Sequence, residues 1–319
     1  MANEFDQVQM LVITQENHLQ RIDNFLISKL KGVPKSKIYK ILRKGEVRVN
    51  KKRIKPVYKL QTNDEVRVPP IRLEVKPDET SNIKKQTHKL TLIEKSILYE
   101  DERLLVINKP SGIAVHGGSG LSFGLIEALR VLRSEGQYLE LVHRLDRDTS
   151  GCIIIAKKRS ALRHLHEQLR QNTMDKTYHA LVDRVWPVKR TKVCAKLHKN
   201  QIQSGERMVF VDDNGKPSET KFSLLKEWQR CSLVEAKPIT GRTHQIRVHC
   251  QYAGHPIAND TKYGNPMFSQ YIKGLGCKRL FLHAKKISFT HPLSEEKIVI
   301  SAPYDQELNM LMEKLNASN

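Results

Sequence analysis

No run in this chain approaches the about 18 consecutive apolar residues that a membrane-spanning helix needs. Membrane insertion is therefore not expected. Met1 to Asp6 is mildly acidic and lacks a basic stretch followed by an apolar one, so no secretory leader is expected and the cytoplasm is the expected compartment. The five cysteines, Cys152, Cys194, Cys231, Cys250 and Cys277, are scattered and contain no C-x-x-C pair. That spacing fits reduced thiols and argues against a disulfide framework or a structural zinc site. Nucleotide-cofactor signatures are missing too. Gly117-Gly118-Ser119-Gly120 lacks the Gly-Lys-Ser/Thr ending of a phosphate loop and the context of a dinucleotide fingerprint, and neither G-x-S-x-G nor H-E-x-x-H occurs. Acid is scarce: 34 Asp and Glu face 55 Lys and Arg, a formal charge of +21. At 39% hydrophobic residues the chain can still bury a core, so the imbalance points to a polyanionic partner, nucleic acid above all, rather than to disorder.

The 319 residues suggest one large domain and one small one. After an N-terminal arm, 1–17, residues 18–75 read as a compact basic module. Ile22, Phe25, Leu26 and Leu30 recur at helical spacing, and Gly32-Val33-Pro34 interrupts the chain. Ser36 is placed to cap a second helix with Ile38, Ile41 and Leu42 on its apolar side and Gly45 at its end. Val47 and Val49 then alternate with polar residues into a turn at Asn50-Lys51-Lys52, and Val66 and Val68 alternate again before Pro69-Pro70. Arg21, Lys37, Arg43, Lys44, Arg48, Lys51, Lys52 and Arg53 crowd this module. Between Ile22 and Leu60 only Asp23 and Glu46 oppose the basic residues. So one-sided a charge is expected to meet RNA phosphates. Residues 76–89 are polar and aperiodic, a linker, and 90–319 form the larger domain. Apolar runs such as Leu104 to Ile107, Cys152 to Ala156 and Ala180 to Val182 read as strands, interleaved with helical segments such as Leu162, Leu165 and Leu169. The expected architecture is mixed α/β around one sizeable sheet.

Candidate chemistry concentrates in His143-Arg144-Leu145-Asp146-Arg147-Asp148-Thr149-Ser150-Gly151. In an extended segment Arg144 and Asp146 project to one side and His143 and Leu145 to the other. Asp148 to Gly151 reads as a turn in which Asp148 accepts from the Ser150 backbone nitrogen. Asp146 precedes that turn with no obvious local donor, so it needs a distant counter-charge, as either a structural anchor or a reactive group. A second cluster is Thr240-Gly241-Arg242-Thr243-His244-Gln245-Ile246-Arg247-Val248-His249. There Thr240 can cap a helix running from Gly241 or Arg242 to about Ala253, with the Arg242 guanidinium in its first turn. His244 and His249 are five apart and do not share a helix face, so a metal pair is not expected. Their expected role is hydrogen bonding to RNA or to the core. Tyr178, within Lys176 to Val182, opens a strand and becomes interesting only if a flat base stacks beside it.

Together with Asn108-Lys109-Pro110-Ser111-Gly112, Val115-His116 and Arg279 to Ala284, these segments resemble, in order and over nearly the whole chain, the A family of ribosomal large-subunit pseudouridine synthases. The basic module resembles that family's S4-like RNA-binding domain through Arg21-Ile22-Asp23 and Gly45 to Asn50. The resemblance implies a mixed, largely antiparallel central sheet in the larger domain. It also implies conversion of uridines in 23S ribosomal RNA, naked or in an assembling large subunit, to pseudouridine by base flipping, with no metal or cofactor. By motif, Asp146 corresponds to the essential aspartate, Tyr178 to the tyrosine against the target base, Arg242 to the basic partner of the aspartate, and Arg144 to the arginine that fills the space the uridine leaves. His244 and Arg247 join the basic module as RNA contacts. Nothing demands more than a monomer. Alternatives are a synthase acting on other ribosomal or transfer RNA uridines, a non-catalytic ribosomal RNA assembly factor, and a hydrolytic nucleosidase.

Overall fold

The computed structural model describes residues 7–30, 33, 35–71, 90–117, 124–133, 137–201 and 207–317. The chain divides into two compact units, Met1–Ile83 and Lys84–Asn319. The expected linker at 76–89 and most of Gly32-Val33-Pro34 lie outside the described residues.

In the first unit, β1 (Gln9–Val12) is followed by helices α1 (Ile22–Lys29) and α2 (Lys35–Lys44), then β2 (Arg48–Val49), β3 (Lys52–Arg53) and β4 (Glu65–Val68). The strands form one sheet in the order β1-β4-β2-β3. Residues 9–17, expected as an arm, therefore belong to the module: Gln9 to Val12 pair with Val68 to Glu65, and Ile13 is fully buried with Ile22, Phe25 and Leu60. Helix α2 starts at Lys35, which puts Ser36 inside its first turn rather than at its cap. The helix stops at Gly45, whose φ of +71° is open to glycine at little cost. The β2–β3 turn has Asn50 and Lys51 at φ +50° and +64°, the mirror-image geometry that suits a two-residue hairpin.

The second unit is built on an eleven-stranded sheet among the described residues. Its first elements are β5 (Ile97–Glu100), β6 (Leu104–Lys109), α3 (Leu125–Leu132), β7 (Glu140–Leu141), β8 (Ser150–Ala156), α4 (Arg159–Gln171) and β9 (Asp175–Asp183). Then come β10 (Lys192–Gln201), β11 (Arg207–Val211), β12 (Lys216–Trp228), β13 (Cys231–Pro238), α5 (Gln245–Tyr252), α6 (Pro266–Gly274), β14 (Leu282–Thr290), β15 (Lys297–Ser301) and α7 (Gln306–Ala317). The order along the sheet is β11-β10-β12-β13-β9-β14-β8-β6-β5, with β15 on β14 and β7 on β8. Among the described residues, its strand pairings are antiparallel except β14 with β8.

The apolar runs read as strands are buried on both faces, which is why they are continuous rather than alternating. Leu105, Ile107, Ile153 and Ile155 meet α3 on one face, while Leu104, Val106, Ile154 and Ala156 meet α4 on the other. Strand β9 repeats the device, sending Ala180 and Val182 toward α5 and Leu181 toward α6 and α7. The parallel seam places the functional loop. Gly151 (φ +105°) lies so close to β14 that a Cβ there would meet the Ala284 carbonyl oxygen at 2.3 Å. Only glycine lets β8 begin at this point, directly after the Asp146 loop.

Candidate active site

The loop between β7 and β8 is pinned from several sides before it reaches Asp146. The Val142 backbone nitrogen donates to the Ile154 carbonyl at 3.0 Å, and the His143 Nε2 accepts from the Ile154 backbone nitrogen at 3.2 Å. That role requires a neutral imidazole, and burial pushes the His143 pKa down to about 3. Leu145 packs into the core beside Ile153, as the alternation predicts. Beyond Asp146 the turn is closed by the Thr149 backbone nitrogen donating to the Asp146 carbonyl at 3.2 Å. Asp148 does not cap that turn as expected. Its carboxylate accepts from the neighbouring Arg147, and its carbonyl from the Ser111 hydroxyl.

Beneath the turn lies Lys109, a fully buried lysine at the end of β6. Its ammonium donates to the carbonyls of Pro110, Ile113 and Arg147 at 2.9, 2.8 and 2.9 Å, tying the 110–113 segment to the Asp146 loop. Burial, with a smaller push from Arg279, brings its pKa down to about 7. Ser150 is anchored by the Arg279 guanidinium (2.6 Å) and by His283 Nδ1 (2.7 Å). The Asn108-to-Gly112 and Arg279-to-Ala284 motifs thus act on the same loop from different strands.

Asp146 has a cationic partner, but not the expected one. Arg247 Nη1 donates to Asp146 Oδ2 at 3.2 Å, whereas Arg242 is exposed and its Nε donates to the Pro217 carbonyl at 3.3 Å. The difference follows from where the helix begins. α5 starts at Gln245, not at Gly241 or Arg242, because the Gln245 side chain occupies the preceding loop. Its Oε1 accepts from Thr240 Oγ1 (2.6 Å) and the Arg242 backbone nitrogen (3.0 Å), and its Nε2 donates to the Glu219 carbonyl and Thr220 Oγ1. His244, at φ +54°, is the left-handed residue before the helix, an unusual conformation of the kind that collects at functional positions. Arg247 then falls in the first turn, facing Asp146.

Arg247 was expected to contact RNA, yet its side chain is only 5% exposed. It is held by Asp260 through two bonds of 2.7 Å, Nε to Oδ2 and Nη2 to Oδ1, and lies over the Tyr263 ring at 5.1 Å. Burial opposes the Asp260 carboxylate, but Arg247 and two backbone N–H groups outweigh it and hold its pKa below the usual range. His244 Nε2 approaches the same Asp146 Oδ2 at 3.8 Å, and burial keeps its imidazole pKa below normal against the pull of Asp146. His249 is a core residue, fully buried between Ser218 Oγ and Thr220 Oγ1.

Sequence reasoning missed Arg247's role, Asp260, Tyr263 and Gln245. One signal was available: Arg247 sits between Ile246 and Val248 on a helix buried from Gln245 to Cys250, and a charge so placed requires a buried partner. No role was expected of Asp260 or Tyr263.

Asp146, half-buried, opens on a cavity of about 460 Å³, within the range of small-molecule sites. Arg144, Tyr178, Arg242 and His244 line it too, so these four expected residues do meet at one place. Arg144 is exposed and unpaired among the described residues. The Tyr178 hydroxyl has no hydrogen-bond partner among them. Burial, then the Asp146 charge, raises its pKa and keeps it a neutral phenol. Lys176 completes one wall.

In the first unit, Lys37, Arg43, Lys44, Arg48, Lys51, Lys52 and Arg53 are all exposed. Arg21 is half-exposed and bound at 2.6 Å to the buried Asp23, while Arg53 also donates to the Arg43 carbonyl at the end of α2.

Residues 103–252 match the family model described as RNA pseudouridylate synthase, and residues 20–66 match the S4 domain. A relative from Pasteurella multocida, named ribosomal large subunit pseudouridine synthase C, is 60% identical over 305 residues, covering 96% of this chain and 93% of its own. A protein of the same name from Escherichia coli strain K12 is 56% identical over 317 residues, 99% of each chain. The solved structure of human RNA pseudouridylate synthase domain containing 4 covers 73% of this chain and 98% of its own, with a TM-score of 0.59 at 23% identity, and speaks to the fold alone. Among the described residues, the cavity thus holds one aspartate with an arginine partner beside a tyrosine and an arginine without partners, and near-full-length identity to curated relatives carries the assignment: the chain belongs to the RNA pseudouridylate synthase family and is an RNA pseudouridine synthase with an N-terminal S4 domain.

Proposed function

We propose that this enzyme converts specific uridines of 23S ribosomal RNA to pseudouridine, at several sites, in the cytoplasm and as a monomer, with Asp146 as the reacting group. The substrate class is supported by the names of the 60% and 56% identical relatives and by the exposed basic residues of the S4 unit. One observation carries the role of Asp146. Both neighbouring cationic or N–H groups, Arg247 Nη1 and His244 Nε2, approach Oδ2, while no hydrogen bond among the described residues reaches Oδ1. The carboxylate is held by one oxygen and offers the other to the cavity.

The isomerisation breaks C1′–N1, turns the base, joins C1′ to C5, and moves the C5 proton away as N1 gains one. Nothing is oxidised and no group is imported, so the chemistry requires no cofactor. Oδ1 can serve as nucleophile at C1′ or as the base that takes a sugar proton, and either route uses the same open oxygen. A retaining glycosidase needs a second carboxyl about 5–5.5 Å away. Here the leaving base stays in the site and recaptures C1′ itself. Tyr178 stacks on the flipped uracil and Arg144 fills the gap in the RNA, offsetting an extrusion cost of a few kcal/mol.

The test is a pseudouridine map of ribosomal RNA from cells lacking the gene. We expect a few large-subunit positions to revert to uridine and to return on complementation. An unchanged map overturns the substrate, and release of free uracil by the purified protein would assign a hydrolytic nucleosidase instead. The S4 unit has its own core, so it can be removed. Deleting residues 1–83 is expected to weaken ribosomal RNA binding and to flatten the dependence of log affinity on log salt by about 0.7–0.9 per lost phosphate contact. Turnover at saturating RNA should change little. Equal affinity and slope for both proteins across a salt titration would refute the RNA-capturing role of the S4 unit.

A further inference from the structure

Both groups that approach Asp146 Oδ2 are fixed by one short segment, Asp260 to Gly264, which lies outside the 103–252 match. Its shape is rigid. Asp260 Oδ1 accepts from the backbone nitrogens of Lys262 (2.9 Å) and Tyr263 (3.1 Å), and the Gly264 nitrogen donates to the Asp260 carbonyl at 2.9 Å. A Cβ at Gly264 would sit 2.2 Å from that same carbonyl oxygen, so the turn cannot close around another residue. From this turn Asp260 grips Nε and Nη2 of Arg247 in the two-pronged geometry that fixes the plane of a guanidinium, leaving Nη1 to reach Asp146.

Tyr263 acts on the other side. Its hydroxyl oxygen accepts from the Val209 backbone nitrogen at 2.9 Å and lies 2.8 Å from His244 Nδ1. With its oxygen engaged by Val209, the phenol proton is free to go to His244 Nδ1. The imidazole proton then resides on Nε2, the nitrogen facing the acceptor-only Asp146 carboxylate. A buried tyrosine 2% exposed, touching Arg247 with its ring and His244 with its hydroxyl, couples the two.

We propose that Asp260 and Tyr263 are positioning residues for the rearrangement: they orient Arg247 and His244 so that both engage Asp146 Oδ2 and Oδ1 stays directed to the ribose of the flipped uridine. This rests on Asp146 being the reacting group. Which oxygen Asp146 presents governs turnover rather than RNA capture.

The test uses the full chain. Asp260→Asn keeps the size of the side chain but removes the charge and the two-pronged acceptor that fix the plane of the Arg247 guanidinium. It is expected to lower the single-turnover rate by about 100-fold, the scale of a displaced reacting group, with KM for RNA within about twofold. Tyr263→Phe keeps the ring over Arg247 and removes only the hydroxyl. It should lower the rate by about tenfold, one hydrogen bond's worth, again with KM unchanged. The signature that a merely structural role would not produce is the 15N spectrum of the histidines in RNA-free protein, with His244 assigned by its loss in His244→Gln. Nε2 of His244 should appear protonated and Nδ1 unprotonated in the parent, and this distinction should collapse in Tyr263→Phe. Wild-type turnover by Tyr263→Phe, or an unchanged His244 pattern, overturns the proposal. So does a rate loss in Asp260→Asn that merely follows the folded fraction. Because the 15N pattern is read without turnover, it stands or falls separately from the role of Asp146, which activity in Asp146→Asn would refute.

Discussion

Asp146→Asn should bind ribosomal RNA as the parent does and form pseudouridine at a rate lower by roughly 10⁴-fold or more, the scale seen when a reacting group is removed while its surroundings persist. The substitution is nearly isosteric, and the structure explains why the fold should tolerate it. Arg247 keeps its two bonds to Asp260, so no buried cation is left uncompensated. The backbone of the loop does not depend on the carboxylate, since the turn is closed by the Asp146 carbonyl and anchored by Lys109 and His143. RNA affinity, proposed above to rest on the exposed basic residues of the S4 unit, should be unmoved. Filter binding and mass-spectrometric detection of pseudouridine on the same RNA separate the two quantities. Substantial turnover by the variant would remove Asp146 from the chemistry.

The place of Asp146 in the fold could be read from sequence because its neighbours obey local rules. Leu145 packs inward while Arg144 and Asp146 reach the cavity, and Gly151 marks a close approach that no other residue permits. The apolar runs Leu104 to Ile107, Cys152 to Ala156 and Ala180 to Val182 were equally legible as strands, since they are buried on both faces. The partner of Asp146 was not legible. Thr240-Gly241 carries a helix-cap signal, but the Gln245 side chain bonds Thr240 and the Arg242 nitrogen, delaying the first turn until Gln245. A shift of about one helical turn in the start exchanges which arginine faces the aspartate. Helix boundaries turn on such side-chain competition, which periodicity does not register. Asp260 and Tyr263 were invisible for another reason. Their function exists only across tertiary distance, and locally they satisfy every expectation of a turn.

Arg247→Met is expected to be the most destabilising single substitution at the site. It removes the cation from between two carboxylates, one of which, Asp260, has a side chain with no solvent exposure. Breaking a buried pair from one side costs about 3–5 kcal/mol, because the remaining charge has lost both its hydration and its partner. The two backbone donors to Asp260 remain, which favours the low end of that range. Both tryptophans, Trp186 and Trp228, lie in the second unit, so fluorescence-detected denaturation reports on this unit without interference from the S4 module. The same loss at Arg242 should be small, within about 0.5 kcal/mol, since that side chain is exposed and makes one long bond to a carbonyl. The double variant Arg247→Met/Asp260→Asn removes the stranded carboxylate as well and should recover a large part of the stability. It should nevertheless remain inactive, because Asp146 has then lost the group that holds Oδ2. Stability and activity thus part company in the double variant. A fall in stability under about 1 kcal/mol for Arg247→Met, or one matched by Arg242→Met, would mean that the Asp146–Arg247–Asp260 chain is not the buried ion pair described here.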